Sequence, residues 1–252
     1  MKTVFITGGA TGIGAATIKK FISKGYNVGF IDNNLAASSI LLENFGDKLF
    51  FFQGDVRKSE DQIAAINGTI NKFGAIDAVF ANAGIHQSNS ILTATDDEIN
   101  KIIDINIKGV IITVRETSKQ MLTTGGGSIV IMASDQALIG KPNSFSYGMT
   151  KGALGQITKS LALDLSQHGI RVNAVCPATI KTPLAERAMQ RWANTDLAGD
   201  IDKAWAIEAQ AHPIGRVGLS EDVANLVYFL NSEEASFITG SLHSVDGGIT
   251  AG

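Results

Sequence analysis

At 252 residues, with a net charge of −3 and one cysteine (Cys176), the chain excludes an internal disulfide and shows no basic run to serve as a nucleic-acid footprint. A chain of this length buries roughly three quarters of its unfolded surface, so it needs no disulfide or metal staple. Its opening segment lacks the apolar stretch and cleavage site of a signal peptide, and nothing approaches the ~20 continuous apolar residues of a membrane span, so a cytoplasmic protein with no nucleic-acid or membrane partner is expected.

The first predicted element is a strand at 3–7, followed by helical spacing over about 13–24 and a second strand at 27–31. Further strands are predicted at 48–52, 77–81, 128–132, 171–175 and 241–245, with helices over about 59–72, 95–119, 147–167 and 220–231. Most of the strands are near-continuous apolar runs, as a parallel sheet covered on both faces requires. The helix near 95 and the one at 220 each open on Ser or Thr followed by acids, a pattern that suits an N-cap and the helix dipole. Strand–helix alternation throughout implies right-handed βαβ units, hence an α/β fold: one doubly wound, Rossmann-type parallel sheet of about seven strands in a single domain spanning 1–252.

One excursion interrupts the rhythm. Residues 183–215 insert two helix-like pieces carrying both tryptophans, Trp192 and Trp205. A long excursion in a compact domain is either a lid over a binding site or a surface segment pinned to the body by its tryptophans.

Chemistry-bearing residues begin at the first turn. Thr7 to Gly14 reads Thr-Gly-Gly-Ala-Thr-Gly-Ile-Gly, with Gly8, Gly12 and Gly14 at a strand-to-helix junction. Glycines there let the backbone approach a phosphate, and the helix end supplies free N–H groups. The spacing is not Gly-x-Gly-x-x-Gly, since Thr17 stands three residues after Gly14. The next strand ends in Asp32, placed to accept hydrogen bonds from both ribose hydroxyls of NAD and to repel the 2′-phosphate of NADP, so NAD is the expected cofactor.

With these motifs in place the chain resembles the short-chain dehydrogenase/reductase family along nearly its whole length. The glycine pattern with Thr11 and Ile13 fits that family's cofactor loop, and Asp55-Val56 resembles its adenine-contacting pair. Ala-Asn-Ala-Gly at 81–84, containing Asn82, Ala83 and Gly84, is similar to its Asn-Asn-Ala-Gly motif. Asn106 matches the family's helix asparagine, Ser134 precedes Tyr147 by the usual 13 residues, and Tyr147-x-x-x-Lys151 matches the catalytic pair. Pro177, Thr179, Ile180 and Thr182 resemble the segment that contacts the nicotinamide end. Ala178 stands where a glycine is usual, which would strain the backbone if a positive φ were needed there.

Helical residues i and i+4 share a face, so Tyr147 and Lys151 can point into one cleft. A free phenol has a pKa near 10, and a nearby ammonium together with an oxidised nicotinamide would lower it toward use as a proton shuttle. The resemblance implies that Lys151 also holds the nicotinamide ribose, that Ser134 donates to the substrate oxygen, and that Asn106 orders a water relay leading to Lys151. It implies reversible hydride transfer between NAD(H) and a small secondary alcohol or ketone, and a homotetramer built through the two long helices.

Substrate identity is less constrained. His86, Gln136 and Asn143 suit a hydroxylated, sugar- or polyol-like substrate, or are solvated loop residues; Met189 and Trp192 of the excursion suit an apolar one. The four histidines show no metal-ligand spacing, so no metal is expected. Two alternatives remain open: a 3-ketoacyl-type reductase, whose usual preference for NADPH Asp32 opposes, and a non-catalytic NADH-binding regulator, which would be expected to lack Tyr147, Lys151 or Ser134.

Overall fold

The computed structural model describes residues 1–252. Its strands are β1 (Thr3–Thr7), β2 (Asn27–Asp32), β3 (Leu49–Gln53), β4 (Ala78–Ala81), β5 (Gly127–Met132), β6 (Ile170–Pro177) and β7 (Leu242–Val245). They form one parallel sheet in the order β3-β2-β1-β4-β5-β6-β7. The helices are α1 (Gly12–Ser23), α2 (Leu35–Phe45), α3 (Ser59–Phe73), α4 (Asp96–Ile103), α5 (Gly109–Thr124), α6 (Phe145–Ser166), α7 (Pro183–Asp196), α8 (Ile201–Ala211) and α9 (Ser220–Asn231).

The near-continuous strands follow from burial on both faces. In β1 the alternate residues Val4 and Ile6 join a core with Phe21 and Ile18 of α1, Leu41 of α2 and Val223 and Val227 of α9. Phe5, between them, faces the opposite core with Ala65 and Ile66 of α3, Val114 of α5 and Leu154 of α6. Period-two alternation is present, but both phases are apolar, so it does not show as alternation in the sequence.

Three expectations are corrected. Helix α2 was not predicted; it follows the Asn33-Asn34 turn and buries only Ser38 and Leu41, too little for an amphipathic stripe. The helix expected over 95–119 is broken by a π-helical turn at Asp104–Lys108 and runs on to Thr124. Thr95 caps α4 as expected, in a reciprocal pair with Glu98. Ser220, by contrast, lies inside the first turn of α9, and it is the Asp222 carboxylate that accepts the Leu219 N–H, at 2.8 Å.

The strand order reverses between β1 and β4, since β2 and β3 continue to one side of β1 and β4 to β7 to the other. Carboxyl ends of parallel strands at such a switch point flank a crevice, and the site lies there.

Candidate active site

The turn from β1 into α1 is built for close backbone approach. Gly8 and Gly12 hold φ values of +68° and +54°, in the left-handed region that L side chains disfavour. A Cβ on Gly14 would stand 2.1 Å from the Gly8 carbonyl oxygen, so α1 can start flush against the loop only with glycine there. No acidic residue occupies the first turn of α1, leaving its N–H groups and positive helix end for an anion. Asp32 ties the loop to β2: its Oδ2 accepts the Ala10 N–H at 2.9 Å and its Oδ1 the Asn34 N–H at 2.9 Å. The Asn82 amide donates to the Thr7 and Gly8 carbonyl oxygens at 3.0 and 2.8 Å, bracing the loop from β4. Glycine cradle, free helix N-terminus and carboxylate together fit the diphosphate and ribose of a dinucleotide.

From this turn a cleft of about 1260 Å³ runs along the carboxyl edge of the sheet to α7. Every residue expected at the site lines it except Gly14 and Asn106. Gly14 lies beneath the loop. Asn106 is buried in the π-helical turn, with its amide donating to the Ile85 carbonyl at 3.0 Å and to Thr150 Oγ1 at 3.2 Å. Its Oδ1 accepts the Ile85 N–H at 2.9 Å. Both amide hydrogens are therefore committed to holding the 84–85 loop against α6.

Tyr147 and Lys151 project from the first turns of α6 into this cleft. The Lys151 ammonium donates to the Met132 carbonyl at 2.7 Å and lies 5.4 Å from the centre of the Tyr147 ring. Although that ring reaches the cleft wall, its phenol is enclosed enough for burial to push its pKa up to about 12, with the Ser134 hydroxyl opposing. Burial pulls Lys151 down to about 8. The expected lowering of the tyrosine by its lysine is thus absent in the protein alone, because desolvation penalises both charged forms and the ammonium is turned to Met132. Ser134 follows β5 in extended backbone (φ −170°). Its hydroxyl donates to Asp135 Oδ1 at 2.7 Å and accepts the Gln136 N–H at 3.2 Å. In this arrangement its hydrogen points to Asp135 rather than outward.

The far end of the cleft contains the His86 ring, 4.8 Å from the Tyr147 ring. Burial, then the positive charges of Arg191, Lys141 and Lys151, push His86 down to about 4, so it is a neutral imidazole at physiological pH. His86 Nδ1 and Gln136 Oε1 are buried without partners. Asn143 sits in the left-handed region at φ +52°. Met189 and Trp192 line the cleft from α7, which packs on α8 and buries Ala193. Trp205 lies outside the cleft, under the Lys181 ammonium at 6.0 Å.

The segment after β6 departs from expectation in detail. Ala178 is not among the positive-φ residues, so the missing glycine brings no strain. Thr179 donates its hydroxyl to Glu208 of α8, and Thr182 Oγ1 accepts the Ala185 N–H at 3.2 Å as the cap of α7. Both hydroxyls thus anchor the 183–215 excursion. Sequence reasoning also missed the ion pair of Asp135 with Lys141, at 2.6 Å, and the cleft-lining Arg187 and Arg191. The pair spans an irregular loop and has no spacing signal, whereas the two arginines show i, i+4 spacing within a helix-like segment.

The family model described as enoyl-(acyl carrier protein) reductase matches residues 8–250. The chain is 34% identical over 252 residues to a 2,5-dichloro-2,5-cyclohexadiene-1,4-diol dehydrogenase of Sphingobium indicum, covering 99% of this chain and 97% of that one. A short-chain dehydrogenase family protein of Francisella tularensis superposes with a TM-score of 0.90 at 36% identity, each chain covered in full. A 3-ketoacyl-(acyl-carrier-protein) reductase of Brucella melitensis, solved with NADH, superposes at 0.89 and 30% identity, with 99% and 98% covered. The chain belongs to the short-chain dehydrogenase/reductase family, the oxidoreductases that use nicotinamide cofactors on alcohols and ketones.

Proposed function

We propose that the protein is an NAD-dependent dehydrogenase of a small hydroxylated secondary alcohol, with Tyr147 as acid–base, Lys151 and Ser134 as its partners and Asn106 as a positioning residue. The observation that carries this is the grouping of Ser134, Tyr147 and Lys151 along one wall of the cleft that the glycine turn opens into. A bound nicotinamide supplies the hydride acceptor, held by the glycine turn, Asp32, Asp55, Val56 and the 82–84 and 177–182 segments. Tyr147 takes the hydroxyl proton of the alcohol. Lys151, which would also hold the cofactor's ribose, would stabilise the phenolate and bring its pKa down from about 12 if its ammonium left the Met132 carbonyl for Tyr147. Ser134 positions the substrate oxygen; donating to a ketone requires its hydrogen to turn away from Asp135. The unpartnered His86 Nδ1 and Gln136 Oε1 favour a substrate with further hydrogen-bonding groups, because buried polar atoms ordinarily have partners.

The fixed carboxylate of Asp32 supports NAD over NADP, whose 2′-phosphate carries roughly two negative charges. Helices α7 and α8 act as the substrate lid. The assembly is a homotetramer in the cytoplasm, a state favoured by the apolar residues that α5 and α6 leave exposed. The test is NADH formation from a panel of secondary alcohols, cyclic diols and sugars, with Tyr147→Phe as control. Turnover lost at least a hundredfold in the mutant, with NADH binding retained, is the expected result; undiminished turnover removes Tyr147 from the mechanism.

A further inference from the structure

We propose that the alcohol bound in this cleft is a hydroxy acid, its carboxylate held by Arg191 with Arg187 beside it on α7. This rests on the dehydrogenase reading above and adds the charge of the substrate to it.

Four of the chain's six arginines are engaged within the protein. Arg57, Arg115 and Arg216 pair with Asp55, Glu116 and Asp222. Arg171 donates to the carbonyl oxygens of Ile238 and Ser232 at 3.1 and 3.0 Å. The two guanidinium groups that bond to nothing in the protein are Arg187 and Arg191, and both line the cleft. They stand one helical turn apart, on the face of α7 that also presents Leu184, Ala188 and Thr195 to the cleft. Both side chains are exposed, so their guanidinium groups stand on the open side of the cleft, where an entering anion can reach them.

No carboxylate pairs with either arginine: Asp135 is taken by Lys141 at 2.6 Å, Glu208 accepts the Thr179 hydroxyl, and Asp196, also on the cleft wall, forms no ion pair. The charge of Arg191 is felt beside the reacting centre: after burial, Arg191 is the foremost influence holding down the pKa of His86, whose ring stands 4.8 Å from that of Tyr147. His86 is neutral, so its ring is free to hydrogen-bond a substrate hydroxyl. A substrate carboxylate would complete the arrangement. A guanidinium fork matches a carboxylate in two parallel hydrogen bonds, whereas an ammonium would offer a point charge.

The experiment measures kcat/KM with NAD for 3-hydroxybutanoate and 3-hydroxycyclohexanecarboxylate, each against its methyl ester. The proteins are wild type, Arg191→Gln, Arg191→Lys and Arg187→Gln. Calorimetric titration of the NADH-loaded protein with cyclohexanecarboxylate and with its neutral amide runs alongside. Wild type should favour the acids tenfold or more, chiefly through KM. Arg191→Gln should remove that preference, the acids losing at least tenfold more than the esters, and Arg191→Lys should restore part of it. Acids and esters turned over alike in wild type, or an acid preference that survives Arg191→Gln, overturns the proposal. So does a loss in Arg191→Gln that appears as a raised KM for NAD with acids and esters affected equally, since the arginine would then serve the cofactor. Carboxylate binding that depends on Arg191 without turnover of any pair keeps the anion site and overturns the dehydrogenase reading. Turnover of the esters with no carboxylate effect does the reverse, and neither binding nor turnover overturns both.

Discussion

Lys151 is buried with its ammonium on the Met132 carbonyl, and burial lowers its pKa from the ordinary 10.5 to about 8. The unfolded chain therefore holds more protons than the folded one between those two values, so this residue's contribution to stability improves as pH rises from about 8 toward 10.5. Below about 8 the folded protein carries the whole cost, which at 1.36 kcal/mol per pKa unit is about 3 kcal/mol, partly offset by the bond to Met132. Lys151→Met should consequently raise the melting temperature at pH 7 by a few degrees, at roughly 2–4 °C per kcal/mol for a chain of this size, while turnover falls at least a hundredfold. Differential scanning at pH 7 and pH 10 checks it: the gain should shrink at pH 10, and a mutant that melts lower at pH 7 would refute the burial cost. Asp32 invites a second substitution. Asp32→Asn keeps one acceptor for the Ala10 N–H while removing the charge, so the NAD-over-NADP ratio of kcat/KM should narrow tenfold or more. An unchanged ratio would show that selectivity lies elsewhere in the adenine pocket.

Among the elements, what was legible in the sequence depended on how much of each segment's fate is local. All seven strands lie within two residues of their expected bounds, because apolar runs between glycine and polar turns have few other uses. Helix α2 escaped because Leu35–Phe45 buries one polar and one apolar side chain and leaves Leu35 and Ile40 exposed, so its pattern carries no stripe. Its start is nonetheless a local signal, with Asn34 Oδ1 accepting the Ala37 N–H at 3.1 Å as an N-cap. The π-helical turn that swings Asn106 toward Ile85 has no signature in composition, since it answers to a contact 21 residues away in the chain. The same division holds at the site. Gly8, Gly12, Tyr147 and Lys151 have placements set by turn geometry or helix spacing, and those placements were legible. The bond of the Ser134 hydroxyl to Asp135 was not legible, and the ion pair of Asp135 with Lys141 exists only through the fold of the 135–141 loop.

At the scale of the whole molecule, both faces of the sheet are covered, yet the outer surfaces of the covering helices are not uniformly polar. Leu163 of α6 is 81% exposed, and Phe145 and Met149 are open on the same helix, as are Ile111 and Leu122 on α5. Single exposed apolar residues are ordinary, but a set on two helices of one sheet face is the surface on which the proposed assembly would be built. Helix α6 also carries Tyr147 and Lys151, so an interface on its outer side would stiffen the element that aims the proposed catalytic pair, and assembly and turnover should be coupled. A charged residue at Leu163 tests both. If wild type is the proposed four-chain species, Leu163→Asp should convert it to dimers or monomers in sedimentation velocity. Burying Leu163 against a symmetry mate is worth on the order of 1.5–3 kcal/mol per copy, and an aspartate there adds a desolvation cost. Specific activity should fall and should recover as protein concentration rises, as mass action requires. A wild type that sediments as a single chain, or a mutant that stays four-chain with full activity, would mean that α6 faces water and holds Tyr147 and Lys151 unaided.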